Sequence, residues 1–330
     1  MLNQLHLMDN QKGIAKLADK SVNLIIADPP YYKIKGDFDF EFKDFDDYLN
    51  FMEGQAKLYK RVLADNGSLF VYGHAKNIAY VQVIFDKYFN LENSLVWENT
   101  NPHKQQIRYS NDIRSFAPVT ERVLFYSNEV ERSGLEEIKE NHIKGKNPFQ
   151  HVIKQARLKK GLSTIQVAEL GKFYGKVNHG GSVANWENSD NNPTEEQFEK
   201  LKKILDISEE YEDLRREYED LRREYEDLRR PFKNIYNYGD VIHLPNYETK
   251  QFDHDTIKPE KLTLDLIETT TRENDLVLIP FGGSGTECVC SMRLKRQWIA
   301  FENKKKYFDI GQKRIYSEYE KTSLFNSLGQ

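Results

Sequence analysis

Cysteine is scarce in this chain of 330 residues, which contains only Cys288 and Cys290. The two residues lie two positions apart in a segment that reads as helical, so their side chains point to different faces. This spacing excludes a disulfide bond or a shared metal between them, and we predict no metal centre. Small, reduced thiols of this kind are typical of a cytosolic protein core.

Long apolar runs are also missing. The longest ones, such as Val22–Ala27 and Leu276–Ile279, have the length of a strand, whereas a membrane-spanning helix needs roughly 20 apolar residues. Residues 1–9 lack the basic-then-apolar order of a signal peptide. The sequence therefore predicts a soluble, cytoplasmic protein with no membrane partner.

The chain has no overall basic excess, since its formal net charge is −4. Charge acts locally, however, and residues 139–180 hold nine lysine or arginine residues against two acidic ones. This segment is suited to face the phosphates of a nucleic acid. The acidic excess lies elsewhere, mainly in residues 37–47 and 209–227.

Strand and helix patterns alternate at both ends of the chain, which is long enough for one large domain and a smaller one. The alternation predicts an α/β fold, a doubly wound and mostly parallel sheet with helices on both faces. The predicted strands are residues 22–27, 68–73, 95–97, 122–126, 276–280 and 298–302, and the predicted helices are residues 46–62, 75–88, 258–271 and 284–294.

The middle of the chain, residues 128–249, breaks this alternation with helical patterns, basic residues and polar loops. We interpret it as an insertion that divides the sheet domain into residues 1–127 and 250–330. A perfect tandem heptad, EYEDLRR repeated three times, occupies residues 210–230. It predicts one continuous helix over about residues 209–230, with a stripe of tyrosine and leucine. A charged, solvated spacer is the alternative.

The strongest local signal is Asp28-Pro29-Pro30-Tyr31, directly after the strand Val22–Ala27. In open α/β sheets ligands bind at the carboxyl ends of the strands, where this carboxylate and ring are expected. The prolines fix the backbone, lack N–H donors and leave carbonyl oxygens free as acceptors. A simple turn is the alternative.

A glycine-rich turn is the second signal, because it follows an apolar strand and opens a predicted helix. Its glycines let the backbone approach a bound nucleoside closely, and Glu302 ends the next strand, where a carboxylate suits a ribose diol. The turn comprises Pro280, Phe281, Gly282, Gly283, Ser284, Gly285 and Thr286.

Together the two motifs resemble the amino-methyltransferases of bacterial restriction-modification systems and phages. Their order, with the insertion between them, resembles the circularly permuted β group of that family. Residues 254–259 resemble its His-x-Thr-Gln-Lys-Pro element, from which Ile257 departs. Ile279 stands where the family usually has an acid before Pro280 and Phe281.

The resemblance implies S-adenosyl-L-methionine as cofactor and residues 1–127 and 250–330 as the methyltransferase domain. It assigns catalysis to Asp28, Pro29, Pro30 and Tyr31. For Asp9, an ordinary loop acid is the alternative. The predicted cofactor-binding residues are Asp9, Asp28, Lys258, Pro280, Phe281, Gly283, Ser284, Gly285, Thr286 and Glu302.

The chemistry of methyl transfer to an exocyclic amine explains these residue types. The lone pair of the amine is delocalised into the ring, and hydrogen bonds to Asp28 and the Pro29 carbonyl make it available for attack. The base must leave the duplex, and Tyr31 offers a face for stacking. Trp97 is either a second wall for the base or a packing residue.

Residues 151–207 resemble a helix-turn-helix of phage-repressor type, so residues 128–249 are predicted to be the target-recognition domain. Residues 182–186 would open the recognition helix in the major groove. A plain helical packing module is the alternative. The predicted DNA contacts are Lys154, Lys159, Lys160, Lys172 and Lys176 to phosphates, and His179, Ser182 and Asn185 to bases.

The sequence thus predicts a site-specific, adenine-specific DNA methyltransferase that acts on double-stranded DNA. Aspartate at position 28 favours adenine, because the cytosine-N4 enzymes of the family more often carry serine there. Methylation of cytosine at N4 stays open, as does a regulator without turnover, for which Ile279 is the best support. A homodimer and a separate cognate restriction endonuclease are further partners that the resemblance leaves open.

Overall fold

The computed structural model describes residues 1–34, 37–101, 116, 118–128, 143–173, 181–247 and 257–328. The chain divides into two compact units. The first consists of Met1–Val130 and Arg230–Gln330, and the second of Glu131–Arg229. Among the residues described, no helix is both long and apolar enough to cross a membrane.

An eight-stranded sheet forms the centre of the first unit, with the strand order β1-β8-β7-β2-β3-β5-β4-β6. Strand β5 runs antiparallel to both of its neighbours, and all the other pairs are parallel. The strands are β1 (Gln4–Leu7), β2 (Val22–Ala27), β3 (Leu63–Gly73), β4 (Asn90–Asn99), β5 (Thr120–Ser127), β6 (Val241–Leu244), β7 (Leu276–Ile279) and β8 (Gln297–Glu302).

Helices cover both faces of this sheet. Alternate residues of β2 contribute to two apolar clusters, Leu24 and Ile26 to one and Ile25 and Ala27 to the other, as expected for a strand buried on both faces. The predicted doubly wound α/β fold is confirmed. The helices of the first unit are α1 (Asn10–Ile14), α2 (Phe45–Val62), α3 (Ile78–Phe85), α9 (Glu260–Thr270), α10 (Thr286–Arg293) and α11 (Lys305–Leu328), and those of the second unit are α4 (Pro148–Lys159), α5 (Thr164–Gly171), α6 (Gly181–Glu187), α7 (Glu195–Leu205) and α8 (Tyr211–Leu228).

Several features of the first unit differ from the sequence-based expectation, among them helices α1 and α11, which were not predicted. The helix predicted over residues 75–88 is shorter, because residues 75–77 form a turn in which the backbone N–H groups of Asn77 and Ile78 both donate to the His74 carbonyl. Strands β1 and β6 were not predicted, and β6 lies in the segment assigned to the insertion. Each has four residues and lies at an edge of the sheet.

Where the structure describes the second unit, five helices pack around one apolar cluster that includes Phe149, Val183, Trp186 and Phe198. Capping boxes begin two of them, with Ser163 at the start of α5 and Thr194 at the start of α7. The three EYEDLRR repeats form the single helix α8.

Candidate active site

The motifs identified in the first unit come together where several parallel strands of the sheet have their carboxyl ends, which is here called the carboxyl edge of the sheet. Strands β8, β7 and β2 are neighbours and parallel, so their carboxyl ends share an edge. Glu302 ends β8, Pro280 follows β7 and Asp28 follows β2. This is the edge at which open α/β sheets bind their ligands.

A cavity of about 430 Å³ opens at this edge, a volume within the usual range for a small-molecule site. Its wall carries several carboxylates, which suit a ligand of positive charge. The predicted site residues that line it are Asp9, Asp28, Pro29, Pro30, Tyr31, Pro280, Phe281, Gly283 and Glu302.

The carboxylate of Glu302 is held by two backbone donors. The N–H of Gly283 donates to Oε2 at 2.9 Å and the N–H of Lys304 donates to Oε1 at 2.7 Å. Burial raises the pKa of Glu302 above its usual value, and these two donors act in the opposite direction. The glycine-rich turn and the end of β8 are thereby fixed to each other beside the cavity.

Asp9 has a structural role in addition to its place on the cavity wall. It is the N-cap of α1, and its Oδ1 accepts the backbone N–H of Lys12 at 3.1 Å. The cap fixes the carboxylate, since an N-cap side chain is oriented by the helix that it begins.

The glycine-rich turn packs closely against α11. Gly285 has a φ of +78°, and a Cβ atom there would lie 3.2 Å from the Cα atom of Gly311. Gly283 also has a positive φ, of +47°. Both conformations favour glycine, and at Gly285 the close approach of α11 adds a steric reason for it. Of the predicted cofactor residues in the described chain, Ser284, Gly285, Thr286 and Lys258 do not line the cavity.

Asp28, Tyr31, Glu121 and Lys258 form a polar group at the end of β2, the Asp28 cluster. The Tyr31 hydroxyl donates to Asp28 Oδ1 at 2.5 Å. The Lys258 ammonium nitrogen lies 2.9 Å from Asp28 Oδ2 and 3.0 Å from Glu121 Oε2. Glu121 was not identified from the sequence, where its only signal is a place just before the predicted strand 122–126, and Lys258 was assigned to cofactor binding instead.

Electrostatics fix the protonation of the two donors in the Asp28 cluster. Burial by itself would lower the pKa of Lys258, but the carboxylates of Asp28 and Glu121 outweigh it and hold that pKa above its usual value. Burial, followed by the charges of Asp28 and Glu121, raises the pKa of Tyr31 well above 10.0. Both side chains therefore stay protonated and act as donors at neutral pH.

The backbone after Asp28 is held in a strained turn. Tyr32 and Lys33 have φ values of +57° and +54°, a conformation that costs such residues roughly 1–3 kcal/mol each. The Asp39 carboxylate accepts the Tyr31 N–H at 2.6 Å, and the Asn77 amide donates to the Tyr32 carbonyl at 3.0 Å. Neither Asp39 nor Asn77 was singled out from the sequence, because no local motif marks them.

Three further side chains near this edge are packed in the core. Trp97 is 3% exposed, belongs to the apolar cluster around Leu24 and donates through Nε1 to the Leu244 carbonyl, which favours its packing role. The Tyr31 ring is also buried in that cluster, and Ile279 is fully buried there.

In the second unit, the predicted phosphate contacts Lys154, Lys159, Lys160 and Lys172 are exposed. Lys160 also forms an ion pair of 2.7 Å with Asp206. Lys176 and His179 lie outside the described residues.

Helix α6, the predicted recognition helix, buries Val183 and Trp186 and exposes Asn185, while Ser182 is half-buried. The guanidinium of Arg157 on α4 holds this helix through two bonds to Glu187, of 2.6 and 2.8 Å. Asn185 thus lies on the exposed side of a helix that is anchored to α4.

The fold, the carboxylate-lined cavity beside a glycine-rich turn and the Asp-Pro-Pro-Tyr motif together define a group-transfer enzyme that uses a nucleoside cofactor. The sequence profile of the N6/N4 family, described as DNA methylase, matches residues 22–313. The chain belongs to that family and is a DNA methyltransferase.

Two of the curated relatives match almost the whole chain. It is 22% identical to the Type II methyltransferase M2.DpnII of Streptococcus pneumoniae, over 94% of this chain and 89% of the relative. It is 23% identical to the Type II methyltransferase M.HinfI of Haemophilus influenzae, over 95% of this chain and 68% of the relative.

Solved structures share the fold. TTHA0409 from Thermus thermophilus, named as a DNA modification methylase, has a TM-score of 0.52 at 15% identity, over 96% of this chain and 95% of that one. The cytosine-N4-specific PvuII DNA methyltransferase has a TM-score of 0.53 at 15% identity, over 96% and 91%.

S-adenosyl-L-methionine is the methyl donor of this enzyme family. The residues present fit it, since its sulfonium and ammonium groups are positive and the cavity wall carries Asp9, Asp28 and Glu302. The backbone at Gly283 gives the close approach that a nucleoside needs.

Proposed function

We propose that this enzyme methylates the N6 amino group of adenine within a short recognition sequence of double-stranded DNA, after the base has been flipped out of the helix. The observation that carries the proposal is the place of Asp28, whose carboxylate lies on the wall of the cofactor cavity and is held by Tyr31 and Lys258. A carboxylate acceptor held in a fixed position is what an exocyclic amine requires.

The chemistry is divided among the residues of one loop. S-adenosyl-L-methionine supplies an activated methyl group when it is bound. Asp28 and the Pro29 carbonyl each accept one N–H of the target amine, which frees the nitrogen lone pair for attack. After transfer the nitrogen loses one proton, and the Asp28 carboxylate is placed to accept it.

Asp9, Phe281, Gly283 and Glu302 would hold the cofactor, because all four line the cavity. Ser284, Gly285 and Thr286 would act indirectly, by shaping the turn against α11. Because the Tyr31 ring is buried in the core, its hydroxyl, which bonds Asp28, is the part we assign to the reaction.

Within the predicted segment 128–249, the second unit (Glu131–Arg229) would supply sequence recognition, because the residues from Arg230 onward belong to the first unit and include β6. Exposed lysines on α4, among them Lys154 and Lys159, are suited to phosphates, and Asn185 on the exposed face of α6 is suited to base edges. Relatives named Type II methyltransferases support a place in a restriction-modification system, with a separate endonuclease for the same sequence.

The test is to incubate the enzyme with S-adenosyl-L-methionine and unmethylated genomic DNA, digest the product to nucleosides and identify the modified base by mass spectrometry. We expect N6-methyladenine, confined to one motif in modification-sensitive sequencing. An Asp65→Asn variant, altered at an exposed carboxylate, serves as the control. N4-methylcytosine as the product would contradict the adenine assignment, and absence of any methylated base would contradict the activity.

A further inference from the structure

The Lys258 ammonium is fully satisfied inside the protein. An ammonium has three N–H donors, and Asp28, Glu121 and the Tyr31 hydroxyl lie 2.9, 3.0 and 3.1 Å from its nitrogen. Its side chain is 2% exposed. Burial of a charge at this depth is tolerated only with such complete pairing.

Lys258 reaches the reaction only through other residues. Asp28 and Tyr31 line the cofactor cavity, whereas Lys258 and Glu121 are not among its lining residues in the described chain. An ammonium that bonds Asp28 on the side away from the cavity lining can orient the carboxylate without contact with the ligand.

The two carboxylates depend on the shared cation. Because both lie within 3.0 Å of one nitrogen atom, removal of the ammonium would leave two like charges close together. One of them would then bind a proton more readily. A protonated Asp28 loses part of its capacity to accept the N–H of the target amine.

We propose that Lys258 and Glu121 are positioning residues for methyl transfer: the Lys258 ammonium orients the Asp28 carboxylate and balances its charge, and Glu121 holds the ammonium in place. The inference rests on the proposed function, which assigns Asp28 to the target amine. It replaces the cofactor-binding role that the resemblance implies for Lys258.

Other titratable groups face the Asp28 cluster. The Tyr72 ring of β3 lies 5.1 Å from the Lys258 nitrogen. Glu287 on α10 interacts electrostatically with Asp28, Lys258 and Arg314, and burial raises its pKa to about 7. His74, after β3, interacts with Glu121. Because Glu287 titrates near neutrality, the experiment is also carried out in a Glu287→Gln background.

The experiment measures the pH dependence of single-turnover methylation by the full-length enzyme and, separately, the binding of S-adenosyl-L-methionine by calorimetry. For Lys258→Met we expect a rate at neutral pH lowered about tenfold or more and an acid limb moved upward by about one pH unit, with cofactor affinity retained. Lys258→Arg should recover part of the rate, and adding Glu121→Gln to Lys258→Met should move the acid limb back. Lys295→Met, at a surface ion pair, is the control.

Glu121→Gln alone tests the proposal without removing the buried cation. Because one negative neighbour of Asp28 is lost, the acid limb should move to lower pH. An unchanged pH profile in Glu121→Gln, or in a folded Lys258→Met, overturns the proposal, as does a loss of cofactor affinity as large as the loss in rate. If the wild type methylates cytosine, the proposed base is wrong while the pH shifts still test Lys258; if it methylates neither base, the proposed function itself fails.

Discussion

Arg314 on α11 donates to the Thr286 hydroxyl at 2.8 Å and so ties the last helix of the chain to the glycine-rich turn. The same guanidinium bonds Glu260 Oε1 at 2.6 Å, at the start of α9. Arg314 is buried, and its position lies just past the part of the chain that matches the family profile. The shape of the turn thus depends on a residue that neither the motif nor the resemblance marks.

Replacing Arg314 with methionine should weaken cofactor binding and lower stability. The change leaves Glu260 with Arg293 as its remaining cation and removes the donor to the Thr286 hydroxyl, losses of charged hydrogen bonds that typically cost about 1–3 kcal/mol. Calorimetry with S-adenosyl-L-methionine and denaturant unfolding measure the two effects. Lys313→Met, at the exposed neighbouring position, should change neither, and equal behaviour of the two variants would refute the anchoring role.

Gly285→Ala should weaken cofactor binding through the contact with α11. The new Cβ would lie 3.2 Å from backbone atoms of Gly311 and would occupy a residue with a φ of +78°. Gly161→Ala is a matched control, because Gly161 has a φ of +66° and nothing within 4 Å of the added atom. Both variants carry the conformational cost of about 1 kcal/mol or more, so only Gly285→Ala should lower cofactor affinity. If calorimetry gives the same affinity for S-adenosyl-L-methionine in Gly285→Ala and Gly161→Ala, the contact between Gly285 and Gly311 does not shape the cofactor site.

Much of the fold followed from periodicity. The apolar runs of β2 and β7, together with the turn residues around them, are enough to identify buried parallel strands. Strands β1 and β6 were not predicted because each has only four residues, of which one is buried. Each also pairs with a strand from a remote part of the chain.

Residues of the site could be predicted from the sequence only where they belong to a local motif. Asp28, Gly283 and Glu302 lie at or just after strand ends and were identified from that position, whereas Glu121 and Arg314 meet their partners across 90 and 28 residues of sequence. Such contacts depend on the folded sheet, and a single sequence contains no spacing that marks them.

Stability should respond to pH through Glu287. Burial raises the pKa of this residue from 4.5 to about 7, so between these values the folded protein binds more protons than the unfolded chain. Stability is therefore lost as the pH rises through that window, by about 3 kcal/mol at 1.4 kcal/mol per pH unit. Glu287→Gln should lack this loss, as measured by denaturant unfolding at pH 5 and pH 8. If its pH dependence equals that of the wild type and of Glu273→Gln, an exposed control, Glu287 is not the responsible group.

Substitutions in the second unit should have separate effects on the affinity for DNA and on the choice of recognition sequence. Replacing Lys154 and Lys159 with alanine should weaken binding to all DNA and reduce the salt dependence by about 0.9 per lost phosphate contact. Asn185→Ala should instead lose about 1–3 kcal/mol of discrimination between bases. Competition binding at several salt concentrations measures both effects, with Lys200→Ala on α7 as the control. If Asn185→Ala keeps the wild-type motif and affinity, the recognition face is elsewhere.

The most direct test of the account is single-turnover transfer of a labelled methyl group to unmethylated DNA by Asp28→Asn, measured beside cofactor binding. The amide keeps the size of the side chain but removes the negative charge from the group that accepts the amine N–H. We predict a transfer rate lowered roughly 10²–10³-fold, with the affinity for S-adenosyl-L-methionine within about threefold of the wild type. Transfer at the wild-type rate by a folded, cofactor-binding Asp28→Asn enzyme would contradict the central claim.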